Sequence, residues 1–472
     1  MLILVALIAI VPICALAAYT VKRPAVAVAL VAASIPFETV PYSVAGLSIT
    51  KAAGFGSIAV LVLAWAAQRL PGRRRVVTID LIVVLLVFGV TVASIGTPFP
   101  RDMGDVFQFV RVVLLFVCTR VLIASYRDIQ LILVTYLHAV TVAGIVGVAQ
   151  VLLGAAERDY ALRAGGISMD PNDFAVLASI ALVVALQARS WSSRRAHRAY
   201  YAVLAMIEVV VIVMTGSRAG LIILALVAVA WWWQQPRRSE AALAACGLAV
   251  AVVLAAPETI RTRILSGTGF EAADSPVAQS AVNSVDRRTA YVTYGFQLFS
   301  DRPWLGWGYG SFKDLFIYSD FARFANPQTI NDAERIAHNV FVEFAVSGGM
   351  ITIFSWIVLL VACAVALRRV RRRAPSGSTA AEVVFALELT LLCLVVGGFF
   401  LSIQHDKMWW ILFGCAAALD QWRSVETDRP NAAEQRMSGV PSSELSSGES
   451  MSSIGADRRP AQYPPVSRGV CT

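Results

Sequence analysis

Apolar residues arrive along this chain in long runs, separated by short polar stretches. Thirteen runs read as membrane spans, at about 2–21, 25–40, 46–67, 78–96, 106–124, 128–153, 172–188, 199–215, 219–234, 240–256, 339–367, 382–402 and 407–421. Most approach the roughly 20 residues that a helix needs to cross about 30 Å of hydrocarbon. Lipid offers no partner to an open strand edge, so the spans are predicted as helices. The second is weakened by Pro36 and Pro41, and the last is short. The expected fold class is an all-α polytopic membrane protein of about 12–13 helices, with one large loop between the helices ending near 256 and starting near 339.

Composition agrees. Of 472 residues, 57% are hydrophobic and only 15% charged, which excludes an ordinary soluble domain. A net charge of +9 would suggest nucleic acid in a soluble protein. Here the basic residues cluster between spans, so they report topology and imply no nucleic-acid partner. Lys22-Arg23, Arg69 with Arg73 to Arg75, Arg120 with Arg127, Arg189 to Arg198, Arg237-Arg238 and Arg368 to Arg373 fall in alternate loops. The positive-inside rule puts that face in the cytoplasm. Loops 97–105, 154–171, 257–338 and 403–406 then share the outer face. Ala15-Leu16-Ala17 resembles a cleavage site, but no basic segment precedes it and Lys22-Arg23 follow. That order predicts an uncleaved first helix with its N-terminus outside.

Four segments follow: a bundle over 1–256, an extracytoplasmic catalytic loop over 257–338, further spans over 339–421 and a disordered cytoplasmic tail over 422–472. The loop carries Trp304, Trp307, Tyr309, Phe312, Phe316 and Tyr318, which predicts a folded, functional element. Its early part, Gly267 to Ser284, is small and polar and reads as mobile. The tail is rich in Ser, Pro, Glu and Arg. The seven cysteines show no CxxC or zinc spacing, and no metal or cofactor is expected.

Three basic residues of the outer face could carry chemistry. Arg218 lies in the turn Thr215-Gly216-Ser217-Arg218-Ala219-Gly220, Arg288 in the loop beside Arg287, and His338 at the loop's end. A guanidinium matches a pair of phosphate oxygens and keeps its charge. Imidazole binds phosphate or moves a proton near neutral pH. The bland alternative for Arg218 is snorkelling to an interface, but its turn lies on the arginine-poor face. If His338 is a base, activity falls as pH drops through its pKa, and a rate flat from about pH 5 to 8 would speak against that role.

His338-Asn339 is followed after nine residues by Gly349, and Thr352 comes three residues later. The chain also holds the TGSRAG turn, Arg163-Ala164-Gly165-Gly166 leading to Asp170-Pro171-Asn172-Asp173, and Arg302 to Phe312. Together these resemble landmarks of the O-antigen ligase and polymerase family, over roughly residues 40–420. The resemblance implies a multi-pass protein of the bacterial cytoplasmic membrane that transfers a glycan from a polyprenyl diphosphate carrier to an acceptor hydroxyl. It implies catalytic roles for Arg218, Arg288 and His338, and substrate contacts from Arg287, Asn339, Ser217, Asn172, Arg163 and Trp307. Implied partners are the lipid-linked glycan, a glycan or lipid acceptor, membrane lipids and other polysaccharide-assembly membrane proteins. The spacing of the histidine motif fits the ligase form best; a polymerase shares the chemistry.

Other features compete. Gly306, Gly308 and Gly310 invite a nucleotide reading, but no strand and helix flank them, so they predict a tight aromatic turn at the membrane surface. Lys51, Arg111, Glu208 and Glu388 sit inside spans and should face a partner or a cavity. In a glycan transporter the two glutamates would be substrate or proton sites; structural pairing is the simpler expectation. His405-Asp406 could join an acceptor site, while His138 and His197 read as structural.

Overall fold

A computed structural model describes residues 19–38, 48–67, 70, 75–97, 103–155, 157–158, 161–167, 169–234, 247, 256–265, 276–321, 335–375 and 377–437. The predicted spans 2–21 and 240–256 lie almost wholly outside these residues. Every other predicted span coincides with a helix. These are α1 (Ala25–Ser34, continued by a 3-10 turn Ile35–Phe37), α2 (Ile49–Ala66), α3 (Thr78–Ile95), α4 (Met103–Leu122), α5 (Tyr126–Leu152), α6 (Pro171–Trp191), α7 (Arg195–Met214) and α8 (Arg218–Gln234). The loop contributes α9 (Glu258–Leu265), α10 (Pro276–Asp301) and α11 (Ser311–Phe316). The chain closes with α12 (Val340–Arg373), α13 (Thr379–Gly398) and α14 (Lys407–Met437). Among the described residues, seven helices are long and apolar enough to cross a membrane: α2, α3, α5, α6, α7, α12 and α13. The protein is an all-α polytopic membrane protein. A two-residue antiparallel pairing, Glu157–Arg158 with Ala161–Leu162, ornaments the α5–α6 connection.

The polar punctuation that separates the spans also caps them. Ser125 and Asp128 form a reciprocal capping box at the start of α5. Asp170 caps α6 and Pro171 fills its first position. Ser378 accepts a hydrogen bond from Ala381 at the start of α13. Helix α6 is apolar on all sides, and 78% of its most apolar window is buried. It is the central post, packed against α5, α7, α8 and α13. Helix α12 lies against α3 and α13.

Two differences from the sequence reading stand out. Residues from Pro276 onward, part of the stretch expected to be mobile, are helical. Alanine, glutamine and valine outnumber glycine there, so local propensity favours a helix. The last helix runs to Met437, past the predicted end at 421. Residues 1–424 form one compact unit and 425–472 a second, of which 438–472 lie outside the described residues.

The charged residues inside spans sort themselves. Glu388 pairs with Arg371 and, at 3.9 Å, with Arg368. Glu208 is fully buried and takes a hydrogen bond from Thr141 at 2.5 Å, with no cation as partner among the described residues. His138 is held by Val134 and Tyr200.

Candidate functional site: a histidine at a broken helix

The His-Asn-x9-Gly-x2-Thr spacing acquires a physical meaning at the start of α12. Asn339 is the cap: its side-chain oxygen accepts from the amides of Phe341 (2.9 Å) and Val342 (3.2 Å). Its amide nitrogen donates to the carbonyl of Phe399 at the end of α13. Two turns later the helix breaks, at Gly348 (φ −146°, ψ 21°) and Gly349 (φ 62°, ψ −150°). The second conformation belongs essentially to glycine. A break strands backbone polar groups, which lipid cannot satisfy.

Two devices repair it. Thr352 donates its hydroxyl to the carbonyl of Phe344 at 2.5 Å, across the break. The loop supplies the rest: Trp307 N–H bonds Val346 O (2.8 Å), Gly308 N–H bonds Ser347 O (2.9 Å), and Met350 N–H bonds Pro303 O (2.7 Å). Such close backbone approach requires glycine on both sides. A Cβ on Gly306 would sit 2.5 Å from Val346 O, and one on Gly349 2.5 Å from Pro303 O. The Gly306-x-Gly308 tract is a tight turn, as expected, with positive φ at both glycines, and it plugs the helix break.

His338 stands immediately before this element. It has φ 49°, the one positive value outside glycine among the described residues. Its pose is held from both sides. Asn339 caps the helix after it, and Ala337 before it donates its amide to Glu343 Oε1 at 2.8 Å. The same oxygen accepts from Ser402 at 3.0 Å. The imidazole stacks on Tyr291, with ring centroids 5.7 Å apart and planes 25° from parallel. Its Nδ1 is buried without a hydrogen-bond partner. Burial, and then the charge of Arg288, push its pKa down to about 4; Asp170 opposes them, and Arg335 and Arg287 add smaller pushes downward. The ring is therefore neutral at physiological pH.

Arg288 and Tyr291 are three apart on α10, so they share a face, and that face meets His338. Arg287 is exposed; Arg288 is half-buried and also acts electrostatically on Asp173 at the start of α6. Asp170 and Asp173 bring in the α5–α6 connection. There Arg163, 1% exposed, donates to the carbonyl of Thr215 (2.8 Å) and to Asn172 (3.0 Å). Asn172 is bonded in turn to Asp170. Ala164 N–H meets Met214 O at 2.8 Å, which binds this connection to the TGSRAG turn. In that turn Gly216 has φ 60° and Ser217 accepts from Gly220 N–H as cap of α8. Arg218 is thus the first residue of α8, half-buried, at the positive end of the helix dipole.

Loops predicted for one face by charge alone thus meet one another. Arg288 and His338 lie within electrostatic reach of one another. Arg218 stands on a turn joined to them through Arg163, Asn172 and Asp170. The hydrogen bonds of Arg163, Asn339 and Ser217 just described are made to the chain itself and hold the frame. Trp307 lies at the helix break: its indole donates to Leu298 O at 2.7 Å and Arg302 covers its ring at 4.4 Å. Tyr291, Arg335 and Glu343 were missed in the sequence, and Asp170 was seen there only as part of a motif. Only Glu343 had a local signal, an acid in the first turn of an otherwise apolar helix, where it can meet free amides.

These features define a polytopic membrane protein with a cationic site around a neutral histidine. Residues 201–357 match the family model described as O-Antigen ligase. Over that span the chain is similar to O-antigen ligases, and the span contains Arg218, Arg287, Arg288 and the whole His338-to-Thr352 element. No curated protein matches the chain.

Proposed function

We propose that the chain transfers a glycan from a polyprenyl diphosphate carrier to an acceptor hydroxyl at the outer face of the bacterial cytoplasmic membrane. The observation that carries this reading is the electrostatic influence of Arg288 on a half-buried, neutral histidine whose Nδ1 is buried and unpartnered. The acceptor oxygen attacks the anomeric carbon, the carbon–oxygen bond to the diphosphate breaks, and the diphosphate leaves with the electron pair, in one inverting displacement. The acceptor proton goes to His338, which acts as a base because it is neutral. Arg288 and Arg218 stabilise the charge growing on the leaving group, the contribution that usually dominates. The transfer draws on the phosphodiester link of the donor, so it needs no metal; loss of turnover of the purified protein in EDTA would overturn that part.

A place for the carrier's tail supports the assignment of Arg218. An apolar groove of about 460 Å³ runs between α6, α7 and α8, lined by Leu182, Ala205, Leu221, Ala225, Ala228 and Trp231 among others. The α8 members recur every three or four residues from Arg218, so they continue its face. A diphosphate at Arg218 would have its chain in this groove.

The ligase form is favoured over the polymerase by the spacing of the histidine motif. A transporter would need a second site at the opposite end. There Arg120 is paired internally with Asp80 (3.3 Å) and Gln421 (2.5 Å), and Arg371 with Glu388. The deciding experiment measures lipid-linked glycan in cells lacking the chain, rescued by wild type or His338→Ala. Long chains stranded on the carrier mean a ligase, and single repeats mean a polymerase. Full rescue by His338→Ala removes that residue from the reaction.

A further inference from the structure

A second cationic cavity, of about 250 Å³, lies between α1, α2, α4 and the segment 405–407. Lys51, Arg111 and Lys407 line it, with Thr50, Ser57 and Gln108 as neutral polar groups and Phe55, Ile58 and Leu115 as apolar wall. Glu38 also lines the cavity and neutralises Lys407 at 2.6 Å. Lys51 and Arg111 have no acidic partner among the described residues. Arg111 Nε donates only to Phe107 O of its own helix, at 3.3 Å.

Depth makes this pair unusual. Lys51 is in the first turn of α2, but Arg111 is eight residues into α4, about 12 Å along its axis. A guanidinium at that depth is costly in hydrocarbon unless it faces a polar cavity or an anion. Snorkelling accounts for one long cation near an interface. It does not account for two cations from different helices aimed into one cavity floored by hydroxyl and amide groups.

We infer that this cavity binds the phosphate headgroup of a membrane lipid, distinct from the donor carrier, with its chains along the exposed apolar faces of α2 and α4. Phe55, Val62 and Leu63 on α2, and Val110 and Leu114 on α4, form those faces. A path links the cavity to the reaction site. His405 lines the cavity wall and its Nε2 meets the hydroxyl of Tyr309 at 2.6 Å. Tyr309 in turn packs on Phe344, in the helical turns that follow His338. His405 and Tyr309 thus tie the cavity wall to the helix that follows His338.

The test is lipid binding to the purified full chain by native mass spectrometry, which needs no glycan transfer. The probes are dioctanoyl phosphatidic acid, dioctanoyl phosphatidylcholine and inorganic phosphate. Phosphatidic acid is expected to bind at least tenfold more tightly than phosphatidylcholine and to resist displacement by an equal concentration of inorganic phosphate. The double variant Lys51→Gln/Arg111→Gln should lose at least tenfold of that affinity, while Arg288→Gln retains it and Lys51→Arg/Arg111→Lys restores it. Equal binding by the double variant overturns the site. Equal displacement by inorganic phosphate overturns the lipid headgroup as ligand. Loss of binding in Arg288→Gln moves the lipid to the donor site. Glycan transfer, scored separately, then shows whether a bound lipid serves as acceptor: binding that survives without transfer would break the proposed reaction and leave the site standing.

Discussion

His338 and His405 are two half-buried histidines held by the same set of loops, and they differ in one respect. Burial, with Lys407, Arg111 and Lys313 behind it, pushes His405 down to about 3, as burial and Arg288 push His338 to about 4. Both rings are neutral. His405, however, is satisfied by Tyr309, whose phenol burial keeps well above its ordinary range and hence protonated. A neutral, partnered ring is a joint. A neutral ring with an orphaned nitrogen, in a backbone conformation that costs free energy, is a site. The contrast separates two residues that look equally polar in the sequence.

The largest effect should come from exchanging them. His338→Asn keeps a residue tolerant of positive φ, so the fold should hold while transfer falls by about 10²–10⁴-fold, the range of a lost general base. His405→Asn should leave transfer within a few-fold and cost about 1–3 kcal/mol of stability for the stranded Tyr309 hydroxyl. Equal loss of transfer in both variants would erase the distinction. Next in size, Arg288→Gln should lower turnover by about 10²–10³-fold, as removal of one charge-stabilising donor does elsewhere. Arg287→Gln, exposed and the weaker neighbour, should do far less.

Gly349→Ala, read by thermal unfolding in detergent, should cost about 3 kcal/mol through a backbone pose that alanine cannot hold. Thr352→Val should cost about 1 kcal/mol for one hydrogen bond.

The pH profile gives the subtlest test. The pKa of His338 is lowered, so the base stays neutral down to pH near 4. The kcat/KM profile of the free enzyme should be flat from about pH 5 to 8 and fall only toward 4. A flat profile in that window, which the ordinary imidazole pKa would make an argument against a base, is therefore what this environment predicts. In kcat the fall should move to higher pH, because the bound diphosphate anion favours the imidazolium. Arg288→Gln should move the kcat/KM limb the same way, since the charge it removes lowers the pKa.

Much of this is legible in the sequence alone. Hydropathy locates the helices, and alternating arginines group the loops that meet at His338. Arg288 and His338 stand out by side-chain type. Tyr291 and Asp170 do not, because α10 and the α5–α6 connection reach His338 only through tertiary packing. The glycines at 306 and 308 are visible as a tract, but their purpose depends on a helix break some 40 residues later, which no local pattern announces.

That break ties the order of synthesis to the order of assembly. Residues 303–308 leave the ribosome before α12 does, and they hold the donors and acceptor that α12 lacks at Val346, Ser347 and Met350. A newly made α12 without them would enter lipid with backbone groups exposed, at several kcal/mol each. The preceding loop thus acts as an intramolecular chaperone for the span that follows it. Replacing Gly306 and Gly308 by valine should leave α12 open to proteolysis even where its own sequence is untouched.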